Sequence, residues 1–102
     1  MSAKTIMLVC SAGMSTSLLV NKMQKAATEG GEDVTIFATA AADAENKIAS
    51  ENPDVLLLGP QVSYMLDEFK SKTDFPVDVI DMRSYGLMDG KAVLNQALKL
   101  TE

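Results

Sequence analysis

The residues best suited to chemistry in this chain lie together, in the stretch Cys10-Ser11-Ala12-Gly13-Met14-Ser15-Thr16-Ser17. Most of them are small, so their backbone N–H groups can turn towards one point. Gly13 admits backbone conformations closed to other residues. Ser11, Ser15, Thr16 and Ser17 offer hydroxyl donors, and the stretch holds no carboxylate to repel an anion. A helix is expected from about Ser17, and its free N–H groups and positive dipole end favour an anion in front of it. The same field favours a thiolate, since a cysteine at a helix N-terminus has its pKa lowered from ~8.5. A thiolate is a nucleophile at neutral pH without a general base. That matters here, because the chain has no histidine. Cys-His and Ser-His-Asp arrangements are therefore excluded within one chain.

Two readings compete for Cys10. A lone cysteine ending a strand is commonly a small buried hydrophobe. The small-residue loop and helix that follow argue instead for a nucleophile beside an anion cradle. Phosphoryl transfer suits such a site, because it needs in-line positioning and charge stabilisation more than proton transfer. Neither GxxxxGK[ST] nor GxGxxG is present, so nucleotide binding has little support. In the loop of cysteine phosphatases an Arg six residues after the Cys clamps the phosphate. Here Thr16 holds that position, and Arg83, far along the chain, is the only arginine. Without that clamp hydrolysis should be poor, and a phosphocysteine should survive to be handed on. A phosphatase of the low-molecular-weight type and a non-catalytic interaction module remain the competing functions.

The elements that must position this loop alternate between strand and helix. Lys4–Val9 reads as a buried strand, Ser11–Ser17 as a loop, and Leu18–Thr28 as a helix with Leu19, Met23 and Ala26 on one face. Gly30-Gly31 stops it. Val34–Ala38 is expected as a second strand, Asp43–Ser50 as a short helix and Asp54–Leu58 as a third strand, ended by Gly59-Pro60. Gln61–Lys72 reads as an amphipathic helix with Val62, Met65, Leu66 and Phe69 on one face. Val77–Ile80 is a fourth strand and Asp81–Met88 a loop. Asp89 is expected to cap a last helix that buries Leu94, Ala97 and Leu98.

This alternation implies βαβ crossovers. The predicted α/β fold is a four-stranded parallel sheet, order 2-1-3-4, with helices on both faces. Ligands bind beyond the carboxyl ends of such strands, at the switch point beside the first. The ends of strands 1, 3 and 4 should therefore converge on Cys10.

Composition narrows the function. The 102 residues fit one domain, spanning 1–102, able to bury a core without staples. The formal net charge is −5, with no basic cluster, which argues against nucleic acid as a partner. One cysteine and no histidine make a metal site improbable and suit a reducing cytoplasm. No apolar run approaches the ~20 residues of a membrane helix. The N-terminus lacks a secretory pattern, so a cytoplasmic location without direct membrane insertion is expected. No cofactor is called for.

The segment CSAGMSTSLLV (Cys10–Val20) resembles the active-site loop of the IIB component of the bacterial sugar phosphotransferase system, lactose/cellobiose/diacetylchitobiose type. LLLGPQVSYM (Leu56–Met65) and VDVIDMRSYGLMDG (Val77–Gly90) are similar too, so the likeness runs through nearly the whole chain. The resemblance implies a fold similar to low-molecular-weight tyrosine phosphatases. It implies a sugar phosphotransferase in which a phosphohistidine on the IIA partner phosphorylates Cys10. Cys10 then donates to a β-linked disaccharide bound in the membrane IIC transporter. It maps Ser11, Ala12, Gly13, Met14, Ser15 and Thr16 onto the phosphate-binding loop and sets Tyr85 near the phosphoryl site. Gln61 and Tyr64 match positions facing the same edge.

For several residues a plain structural role stands beside the functional one. Met14 either tucks into the core or meets a partner. Tyr85 is either a strand-edge aromatic or part of the site, and Gln61 reads first as a helix-start residue. Asp81 is expected to face solvent or bond backbone.

Overall fold

The computed structural model describes residues 4–11 and 14–101, with no description of the side chains of residues 14–16. Its four strands are β1 (Lys4–Cys10), β2 (Val34–Ala40), β3 (Val55–Leu58) and β4 (Val77–Val79). Every pairing is parallel and the order is β2-β1-β3-β4, as the sequence predicts. The register pairs Cys10 with Ala40, Val9 with Leu58, and Leu58 with Val79. The carboxyl ends of β1, β3 and β4 thus meet along one edge.

The central strand explains the two-layered core. Ile6, Met7, Leu8 and Val9 are all fully buried, which a parallel strand covered on both faces requires. Alternate residues go to opposite sides. Ile6 and Leu8 pack with Leu19, Met23 and Ala27 of α1 (Met14–Glu29) and with Val93, Leu94 and Ala97 of α5 (Gly90–Leu100). Met7 and Val9 pack with Ala44 of α2 (Ala44–Glu51) and Phe69 of α3 (Leu66–Lys72). Val62, in the 3-10 segment Pro60–Met65, joins this second layer.

Three local readings need correction. α1 begins at Met14, not near Ser17. Ser and Thr disfavour helix interiors but are favoured at helix starts, so a small polar run that reads as loop supplies the first turn. The expected single helix Gln61–Lys72 is broken: Pro60–Met65 is 3-10, and Val62 leaves helical geometry at φ −119, ψ 21. The break leaves Val62 and Phe69 in one buried cluster with Met65 and Leu66 against it, so the apolar pattern alone does not reveal it. Finally, Asp81–Met88 is not all loop. A short helix, α4 (Met82–Gly86), follows β4, with the Asp81 carboxylate accepting from the Ser84 N–H at 3.0 Å. Met88 then turns at φ +53 into α5, whose cap is Asp89, accepting from the Ala92 N–H at 3.1 Å.

Candidate active site

Cys10 is the last residue of β1, and α1 starts four residues later. The strand therefore ends just before a 16-residue helix whose first turn carries no acidic side chain. Of the expected cradle, Ser11 is exposed beside Cys10. The backbone of Met14, Ser15 and Thr16 forms the opening of α1. Ala12 and Gly13, and the side chains of Met14, Ser15 and Thr16, lie outside the described residues. Ser17 is on α1 and exposed.

The sulfur is less open than a nucleophile's role suggests. Cys10 is only 3 % exposed. Its S–H points at the Thr39 carbonyl, 3.7 Å away on β2, a weak hydrogen bond. Strand alternation puts Cys10 on the side of Ile6 and Leu8, the layer covered by α1 and α5. Thr39 was not singled out in the sequence. Only the β1–β2 register, which sets Val9 against Thr39 and Cys10 against Ala40, brings its carbonyl to the thiol.

The GPQ element closes the next side. The Gly59 N–H donates to the Val9 carbonyl at 2.8 Å, continuing β3 alongside β1. A Cβ placed on Gly59 would lie 3.4 Å from the Val9 carbonyl oxygen, 3.3 Å from Gln61 Oε1 and 3.9 Å from Cys10 Cα. Glycine thus lets the two strand ends approach, and Gln61 folds its amide back over them while serving as an exposed 3-10 residue. Tyr64, on the same segment, is 80 % exposed.

Tyr85 sits on α4, half-buried against the α1/α5 layer of the core. This is the layer that Cys10 faces. Asp81 does bond backbone, as expected. Its carboxylate holds the Ser84 N–H and the Ser84 hydroxyl, each at 3.0 Å. These two donors hold its carboxyl below the usual range. The Asp-Gly that ends the YG-x-x-D-G run is structural. Asp89 caps α5, and Gly90 lies so close to Lys22 and Met23 of α1 that a Cβ would meet the Lys22 carbonyl carbon at 2.5 Å.

Comparison with known proteins fits this geometry. Residues 5–96 match the family described as PTS system, Lactose/Cellobiose specific IIB subunit. The galactose-specific EIIB component of Lactococcus lactis subsp. cremoris is 54% identical, with 98% of each chain covered. The cellobiose-specific EIIB component of Lactococcus lactis subsp. lactis is 53% identical at the same coverage. Among solved structures, the cellobiose-specific phosphotransferase IIB component from Borrelia burgdorferi superposes with a TM-score of 0.81 at 34% identity, covering 98% of this chain and 93% of its own. The chain belongs to the lactose/cellobiose-specific IIB subunit family of the phosphotransferase system, and so to its sugar phosphotransferase components.

Proposed function

We propose that Cys10 carries the phosphoryl group, as a cytoplasmic phosphocysteine relay within a single domain. The observation that supports this reading is the position of the chain's one cysteine, at the end of the central strand and four residues before α1 begins. The helix dipole and its free N–H groups favour a bound dianion there. In the first step the Cys10 thiolate attacks the phosphorus of a phosphohistidine on IIA. The S–P bond forms, the N–P bond breaks, and the imidazole leaves. In the second step a hydroxyl of a sugar held by the IIC transporter attacks the same phosphorus. The O–P bond forms, the S–P bond breaks, the hydroxyl proton goes to solvent and the thiolate is restored. The sugar is a β-linked disaccharide, a reading supported by the cellobiose specificity of one relative.

With Cys10 only 3 % exposed, its sulfur cannot be struck in line as it lies. Transfer requires rotation of the Cys10 side chain away from Thr39, or displacement of the residues that cover it. Rotation gives up only a weak S–H contact at 3.7 Å.

Surface apolar residues support docking at this edge. Leu18 on α1 is 52 % exposed, Met82, the first residue of α4, is 73 % exposed, and Leu87, just after α4, is 67 % exposed. With Tyr64 they follow the carboxyl ends of β1, β3 and β4, and they form the face offered to IIA and then to IIC. No helix among the described residues is long and apolar enough to cross a membrane.

A phosphatase at this position would release phosphate steadily from an aryl phosphate. The relay reading predicts negligible release, alongside rapid label uptake from phosphorylated IIA. Sustained turnover that disappears in Cys10→Ala would overturn it.

A further inference from the structure

We infer that Gln96 is a positioning residue for the site at Cys10, holding the exit from β4 and, through Asp81, the turn that carries Tyr85. β4 is an edge strand, paired on one side with β3. The Ile80 N–H reaches the Leu58 carbonyl at 2.8 Å, so the backbone groups of Val79 point the other way, off the sheet. Side chains satisfy them. The Val79 N–H donates to Asp78 Oδ1 at 2.8 Å, and Gln96 Nε2 donates to the Val79 carbonyl at 2.8 Å. Gln96 Oε1 accepts from the Asp81 N–H at 3.0 Å, and its Nε2 also lies 3.4 Å from Asp78 Oδ2. One carboxamide on α5 thus acts as a short surrogate strand, giving and taking a bond where a neighbouring peptide group would.

The lock continues into the turn that carries Tyr85, which packs on the α1/α5 layer. Asp81 receives the Gln96 oxygen on its N–H and returns its own carbonyl to the Tyr85 N–H at 2.9 Å. Its carboxylate caps the same turn at Ser84. The path from α5 to Tyr85 therefore passes through two main-chain bonds at one residue. Because α5 also packs on α1 through Gly90, Gln96 fixes the turn against the layer that Cys10 faces.

This inference rests on the proposed role of Cys10, and one variant separates the two. Gln96→Met keeps the length of the side chain and removes its three hydrogen bonds, to the Asp81 N–H, the Val79 carbonyl and Asp78. The chain has two tyrosines, so isotope-labelled tyrosine gives two sets of ring signals, with Tyr64 as internal control. In the unphosphorylated protein Gln96→Met should shift the Tyr85 ring signals, leave Tyr64 in place, and speed amide exchange at Asp81. Label uptake by Cys10 from phosphorylated IIA should slow about three- to tenfold, the worth of the one net hydrogen bond, to the Asp81 N–H, that leads to the Tyr85 turn. A lower melting temperature with unmoved Tyr85 signals and an unchanged rate would reduce Gln96 to a stability role and overturn the inference. Wild-type protein that takes no label would overturn the reading of Cys10, and this inference with it. Should Gln96→Met not fold, exchange in the wild type decides: an Asp81 amide as fast as an open strand edge contradicts the lock.

Discussion

The proposed relay makes a chemical rather than a steric demand for sulfur at Cys10. Serine at this position keeps the shape and places a hydroxyl near the Thr39 carbonyl, but a hydroxyl is not ionised by the field of a helix terminus. Cys10→Ser and Cys10→Ala should both fold and take up no stable label from phosphorylated IIA, a loss read directly by autoradiography or mass. That Cys10 ends a strand is readable from the apolar run before it. Its near-complete burial is not, because that depends on how β2 packs beside the sulfur. Asp81 shows the same division. A capping role follows from an acidic residue after a strand, but the bond from Gln96 comes from a residue 15 positions away. The Ser84 donors hold the Asp81 carboxyl below its ordinary range, so its cap stabilises the fold above that range. The contribution is lost as pH falls below about 3.8 towards the lowered folded-state value. Ser84 and Tyr85 amide signals should therefore loosen on acidification in the wild type, and Asp81→Asn should flatten that response.

Elements were readable wherever apolar spacing and punctuation agreed. β1 and β3 are plain apolar runs, and α5 has Asp89 before it and Leu94 and Ala97 buried on one side. The α1 start and the Val62 break were hidden for opposite reasons. The first turn of α1 has no apolar periodicity to announce it, while the 3-10 segment has a periodicity that passes through the break unchanged. The Asp89-Gly90 pair shows what such motifs do at this scale. Asp89→Ala removes the α5 cap and should cost about 1 kcal/mol in denaturant unfolding. Gly90→Ala forces a Cβ into the backbone of Lys22 and Met23. Because backbone cannot swing aside as a side chain can, α5 must move off α1, at roughly 1–3 kcal/mol. Equal midpoints for wild type and Gly90→Ala would contradict this packing.

The whole molecule follows from alternation of strand and helix. Parallel strands buried on both faces fix the sheet order, and the order brings the ends of β1, β3 and β4 to one edge. What alternation cannot reveal is the character of that edge. Leu18, Met82 and Leu87, which the proposed function assigns to that edge, are as apolar as core residues, and only the packed structure shows each of them facing water. If they meet IIA, Met82→Glu and Leu18→Glu should slow label uptake at limiting IIA by about tenfold or more, with unchanged unfolding midpoints. The relay itself is tested most directly by intact mass of the protein after incubation with phosphorylated IIA, followed by fragment mapping. One added phosphate, held on residue 10 through sulfur, is the expected result. An unmodified mass, or a phosphate mapped to a serine or threonine of the same loop, would contradict it.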